Sequence, residues 1–233
     1  TMAEFNSPGA AGMISDSTAA VLVEPVQAEA GVIQPEEGFL ESLRKACDSH
    51  GALLVFDEVQ TGFGRTGSLF SLYRYNVIPD ILVLAKALGG GLPLGAFIAS
   101  TGIMSALSHN PSLGHITTFG GHPLCCAAGM ASLEVIVSEH LAENAKEKER
   151  LFREQLSILP VKEVRGEGLL LAIVPHNKKI IPDLVAHAPE YGLLLDYFLF
   201  CDEAFRIAPP LTISHEEIMV ACQRLGRLMQ ALA

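Results

Sequence analysis

Two charged residues stand at the ends of short apolar runs. Ala52–Phe56 reads ALLVF and is followed by Asp57; Ile81–Ala85 reads ILVLA and is followed by Lys86. Each run is too short for a helix and rich in Leu, Val or Ile, which suits strands buried on both faces of a parallel sheet. Open α/β sheets bind ligands at the carboxyl ends of their strands. An acid and an amine delivered to that edge by neighbouring strands would therefore form a site. A lysine whose surroundings desolvate it loses its proton more easily and becomes a nucleophile toward carbonyls.

Two readings of the pair compete. In one, Asp57 and Lys86 form a buried ion pair with no chemical role. In the other they hold pyridoxal phosphate (PLP): the lysine forms an imine with the cofactor aldehyde, and the aspartate pairs with the pyridine nitrogen and keeps it protonated. Position alone leaves both open. A third motif competes nearby. GFGRTG, Gly62 to Gly67, matches the dinucleotide pattern GxGxxG. Its context is wrong, because Asp57, Glu58 and Gln60 separate it from its strand and no clear helix opens at its end. It reads as a turn, and a nicotinamide-dependent oxidoreductase is the enzyme class it would otherwise support. GGGLPLG, Gly89 to Gly95, reads as a sharp reversal after Lys86 into a strand Ala96–Ser100; no Lys-Ser/Thr follows, so it is no P-loop.

The elements that must position these residues follow from the pattern. A first strand, Ala19–Val23, leads into the loop EPVQAEAGV, where Glu29 is a loop acid that solvent alone could accommodate. Pro35 is expected to open a helix from about Glu36 to His50, with Phe39, Leu40, Leu43 and Cys47 on one face and Gly51 as cap. Strand, helix, strand is a βαβ crossover and predicts a parallel pair. HITTFGGHP precedes a helix starting at Pro123, and a loop of this kind serves either an ordinary helix start or an anion. From Pro123 to Leu159 the pattern reads as one long helix, with a domain boundary near Val137 that divides the chain into 1–137 and 138–233.

Beyond the boundary the chain predicts strands at Val161–Arg165 and Leu169–Val174, a helix at about Ile181–Tyr191, a strand after Gly192 and a last helix from His215. Ser214 and Glu217 have the spacing of a capping box, with Ile213 and Ile218 as a staple. The second domain is thus a small α+β layer. Arg206, flanked by Phe205 and Ile207, calls for a carboxylate partner.

Composition excludes several classes. Of 233 residues, 49% are hydrophobic and 18% charged, which suits a folded globular chain rather than a disordered one. A net charge of -10 supplies no basic stripe for nucleic acid. Five cysteines with no CxxC pair suit a reducing compartment, and the adjacent Cys125 and Cys126 read as packing residues in a run of small side chains. The eight histidines show no ligand spacing, so no metal is expected. No signal peptide or apolar run of membrane-spanning length is visible, and the cytoplasm is the expected compartment.

The words around Asp57 and Lys86 go further. DEVQTGFGRTG followed by PDILVLAKALGGGLPLGA closely resembles the core of the class III aminotransferases, the fold type I PLP enzymes that include ornithine and acetylornithine aminotransferases. VLVEPVQAEAGV, TTFGGHPLCCAAG, VRGEGLLLAI and FRIAPPLTIS extend the resemblance over nearly the whole chain. It implies an α/β fold: part of a large PLP-binding domain over 1–137, with a mainly parallel sheet, then a small C-terminal domain. It implies that Lys86 carries the cofactor, Asp57 holds the pyridine nitrogen, Gln60 bonds the phenolic oxygen and Val59 packs on one ring face. Thr118 would reach the cofactor phosphate of a partner subunit, which implies a homodimer. Arg206 would bind a substrate carboxylate, and Glu29 would pair with Arg206 when no such carboxylate is present. The implied reaction moves an amino group, expected to be an ω-amino group, with glutamate and 2-oxoglutarate as the other pair. Mutases and decarboxylases of the same fold share Lys86 and Asp57, and a non-catalytic dimerisation module would keep the fold alone. The resemblance is to the carboxyl-terminal half of these enzymes. A separate or lost amino-terminal half, with the main phosphate cradle and the aromatic cover of the ring, is therefore expected.

Overall fold

In a computed structural model, which describes residues 1–112 and 114–232, the two apolar runs form neighbouring parallel strands. The first sheet holds β1 (Ala20–Val23), β2 (Leu53–Asp57), β3 (Ile81–Leu84) and β4 (Ala96–Ala99), in that order. β1, β2 and β3 are parallel and β4 returns antiparallel to β3. Asp57 lies level with Val83, three residues before Lys86. Burial alternates along β2 and β3 instead of covering both faces. Leu54, Phe56, Leu82 and Leu84 are buried, whereas Leu53, Val55, Ile81 and Val83 on the opposite face are half-buried.

The crossover helix α1 (Phe39–His50) begins three residues later than Pro35 suggests. Gly38, at φ 82°, takes the N-cap position, and the Phe39 amide donates to Glu36 O at 3.1 Å in the preceding turn. Its buried face is Phe39, Leu40, Leu43 and Cys47, as the periodicity predicts, and Gly51 caps it. Two short helices, α2 (Ser71–Tyr75) and α3 (Thr101–Ser105), lie in the connections.

The single long helix expected from Pro123 is two helices. α4 (Pro123–Ser138) ends after Val135-Ile136-Val137, a β-branched run that disfavours helix. α5 (Leu141–Leu156) then starts from His140, held in the left-handed region at φ 53°. The Asn144 side chain donates to Glu139 O at 3.2 Å across the break. α5 is amphipathic, whereas α4 is apolar on all sides; Cys126, expected to pack, is exposed on it.

Two compact units result. One comprises 1–25, 35–63 and 70–136; the other comprises 26–34, 64–69 and the chain from Val137 onward. The second unit is an antiparallel sheet of order β5-β6-β8-β7, made of β5 (Val161–Glu167), β6 (Leu170–Pro175), β7 (Asp196–Tyr197) and β8 (Phe205–Ile207). With α5 and α7 (His215–Ala231) it encloses Phe152, Leu156, Leu171, Ile173, Phe205, Ile218 and Leu228. α6 (Ile181–His187) stops short of Tyr191 and tightens into a 3-10 turn over Ala188–Tyr191, which contains Pro189. The Ser214–Glu217 capping box is present in both directions. Among the described residues no single helix is long and apolar enough to cross a membrane.

Candidate active site

In the first unit the site is built at the carboxyl edge of β2 and β3. Asp57, the last residue of β2, is half-buried, and its Oδ1 accepts the Val59 amide at 3.0 Å. That bond turns the chain as soon as it leaves the sheet. The next residue does the anchoring. Glu58 is fully buried, and its carboxylate accepts the Ser71 amide at 2.7 Å, the Leu72 amide at 2.9 Å and the Thr61 hydroxyl at 3.1 Å. Burial pushes its carboxyl above the ordinary range, against the opposing pull of the hydrogen bonds from Ser71, Leu72 and Thr61. Glu58 thereby ties the Val59–Gln60 turn to the start of α2, and both Val59 and Gln60 are half-buried there. Sequence reading passed over Glu58; its only mark is an acid placed directly after a strand that already ends in one.

Lys86 opens a 3-10 turn, Lys86–Gly89, and sits in the left-handed region at φ 50°. A residue with a side chain pays about 1–2 kcal/mol for that conformation, so the turn must be held from outside. α4 holds it. A Cβ on Gly129 of α4 would lie 2.5 Å from Leu88 O, and one on Gly90 would lie 2.6 Å from Ala128 O. Only glycines allow this backbone-to-backbone approach, which explains both the glycine run after Lys86 and the small residues of α4.

Lys86 is exposed. The turn swings the residue out beyond the strand edge, and no described element covers it. Among the described residues no ion pair joins Lys86 to Asp57, so the pair is not a structural salt bridge. Thr118 is exposed in the loop ahead of α4 and shares no hydrogen bond with Lys86 or Asp57 among the described residues.

The second unit brings Glu29 and Arg206 together. Arg206 is the middle residue of β8, and its Nη1 donates to Glu29 Oε1 at 2.7 Å. Glu29 lies in a loop closed by reciprocal hydrogen bonds of Gln27 and Ile33, and its Oε2 accepts the Leu199 amide at 3.1 Å. A third residue joins them that the sequence did not point to. Asp196 of β7 stands directly opposite Arg206 in the strand register and accepts from its Nη2. The guanidinium also lies over the Phe198 ring, 5.3 Å from its centroid. Burial alone would lower the Arg206 pKa, but the bonds to Asp196 and Glu29 outweigh it and raise it. Asp196 was out of reach because a two-residue edge strand leaves no periodicity to read.

The GFGRTG segment has a structural task. Arg65 donates to Leu169 O at 3.0 Å and Pro209 O at 2.6 Å, and Arg65 O accepts the Leu169 amide at 2.9 Å. The helix after it, α2, is only five residues long and starts at Ser71. This is a clasp on the β5–β6 turn rather than a dinucleotide loop.

Comparison with known proteins bears on the family and the fold. The family model described as aminotransferase class-III matches residues 7–229. The acetylornithine aminotransferase of Elizabethkingia anophelis is 37% identical with a TM-score of 0.87, over 98% of this chain and 59% of that one. The ornithine aminotransferase of Plasmodium yoelii is 36% identical with a TM-score of 0.81, over 92% of this chain and 58% of that one. The ornithine aminotransferase of Toxoplasma gondii, crystallised in the presence of oxidized glutathione with partial occupancy of PLP at its active site, is 34% identical with a TM-score of 0.88. That match covers 100% of this chain and 56% of the other. This chain therefore spans less than two thirds of the length of these relatives. With an α/β fold of the same type and a family match over almost its whole length, the chain belongs to the class-III aminotransferases.

Proposed function

We propose that this chain supplies the cofactor lysine and the substrate arginine of a PLP-dependent aminotransferase, with an ω-amino donor and 2-oxoglutarate as acceptor. The observation that carries this reading is the edge of the first sheet. Asp57 and Lys86 emerge there from adjacent parallel strands, unpaired with each other, on turns locked by Glu58 and by α4. The donor set suits PLP: a primary amine for the aldehyde, a carboxylate for the pyridinium, an amide at Gln60 and an apolar side chain at Val59. Asp57 Oδ1 is occupied by the Val59 amide, and its Oδ2, not engaged among the described residues, is the oxygen that would face the ring nitrogen.

PLP, when bound, supplies an electron-withdrawing ring and an aldehyde carbon. The rest is the work of this chain. Asp57 holds a proton on the pyridine nitrogen. Lys86 Nζ would hold the cofactor and, as a free amine, would move a proton to and from the substrate carbon. Arg206 orients a substrate carboxylate, and Glu29 takes its place when the substrate has none there.

The first unit also carries exposed apolar surface that supports this reading. A helix apolar on all sides is normally enclosed, yet Leu124 and Met130 of α4 are each 64% exposed, and Phe97 and Ile98 of β4 are exposed as well. We assign this surface to the part of the enzyme that the relatives have and this chain does not span. That part would also complete the cover of Lys86, and a two-fold dimer would bring Thr118 to the partner's cofactor.

The test is to reduce the PLP-loaded enzyme containing this chain with borohydride and map the adduct by mass spectrometry. The adduct is expected on Lys86, and to be absent from Lys86→Ala along with turnover. An adduct on another residue, or wild-type turnover in Lys86→Ala, refutes the assignment.

A further inference from the structure

Arg206 has one more partner than a carboxylate-exchange site needs. A guanidinium binds a substrate carboxylate best through two parallel N–H donors. Here Nη1 is given to Glu29 and Nη2 to Asp196, while the ring of Phe198 lies against the guanidinium face.

The two acids are held differently. Glu29 sits in a loop, attached through Oε2 to the Leu199 amide. Asp196 is set opposite Arg206 by the β7–β8 register, and its Oδ1 accepts the Tyr197 amide at 2.8 Å. Moving Glu29 aside thus leaves Asp196 where it is. One guanidinium with two carboxylates sums to one net negative charge, and that field opposes a further carboxylate and favours a cation.

We propose that Asp196 is a specificity-determining residue that turns the Arg206 site toward diamines and away from dicarboxylates. This rests on the reading of Arg206 as the anchor for a substrate carboxylate. Arg206 and Glu29 are largely buried, at 15% and 19% side-chain exposure, so their pairing is little screened. Asp196 is 66% exposed, so solvent reduces its contribution to the scale of a surface pair, roughly two- to fivefold in affinity.

The experiment uses the PLP-loaded enzyme containing this chain. Glutarate, a dicarboxylate with no amine to react, is titrated calorimetrically into wild type, Asp196→Asn, Asp196→Ser, Asp196→Glu and Arg206→Gln. Half-reaction kinetics are then measured with glutamate and with 1,4-diaminobutane. Removing the charge, in either Asn or Ser, should tighten glutarate about two- to fivefold and lower KM for glutamate with kcat little changed. It should give no such gain for the diamine, and Asp196→Glu should restore wild-type behaviour. If Arg206→Gln abolishes glutarate binding while neither neutral variant tightens it, the inference is wrong and the proposed function stands. If Arg206→Gln leaves glutarate binding unchanged, the anchor reading fails and the inference fails with it.

Discussion

Removal of the Glu58 carboxylate probes how the cofactor edge is held. In Glu58→Ala the Ser71 and Leu72 amides lose their acceptor, at 2.7 and 2.9 Å, and the Thr61 hydroxyl loses one at 3.1 Å. A hydroxyl can rotate to another partner, but the two amides are fixed at the start of α2. An amide left without an acceptor away from water costs about 1–3 kcal/mol, so the pair costs roughly 2–6. The emptied space adds about 1 kcal/mol more, and relief of the buried charge offsets part of the sum. A net loss of about 3–5 kcal/mol is expected, a large fraction of the roughly 5–15 kcal/mol that stabilises a domain. Urea unfolding gives the total, and native-state hydrogen exchange at Ser71 and Leu72 localises it. Protection of both amides should fall with the global stability, and PLP should dissociate faster because Val59 and Gln60 ride on the same turn. A loss below about 1 kcal/mol with unchanged protection would refute the anchoring role. Acidity supplies an independent sign. Burial, the largest influence, raises the Glu58 pKa above its unfolded value despite the hydrogen bonds from Ser71, Leu72 and Thr61. The associated stability is therefore complete below the unfolded pKa, near 4.5, and is lost as pH rises through the higher folded value. The advantage of wild type over Glu58→Gln should shrink over that interval.

Two other substitutions separate chemistry from architecture. Asp57→Asn keeps the oxygen that accepts the Val59 amide, so it should retain the borohydride-reducible cofactor on Lys86 yet lose roughly 10²-fold or more in turnover; full turnover would remove Asp57 from the reaction. Gly168→Ala should cost about 2–4 kcal/mol in urea denaturation. The residue sits at φ 55°, and a Cβ there would lie 2.5 Å from Arg65 O and 2.7 Å from Gly67 N. A neutral effect would show that the Arg65 clasp yields freely.

What the sequence settled by itself was local and periodic. β1 and the first apolar run, β2, became parallel neighbours because a 12-residue crossover helix between two short strands leaves few alternatives, and the second run, β3, joined β2 in parallel with Asp57 and Lys86 at their shared edge. The buried face of α1 and the capping box of α7 depend on residues three and four apart, which a linear reading captures. Tertiary structure decided what depends on contacts across long separations. α4 and α5 separated at His140, where a β-branched run outweighed the continuous helical pattern. Glu58 became an anchor because Ser71 and Leu72, more than a dozen residues on, return their amides to it. Lys86 came to rest exposed on a left-handed turn because α4 presses against Leu88 and Gly90 from some forty residues away. Asp196 meets Arg206 only through the pairing of a two-residue strand, and so short a strand has no period of its own. Its position is set by the backbone of β8, and that alone makes the Arg206 site a cluster of two acids and one base.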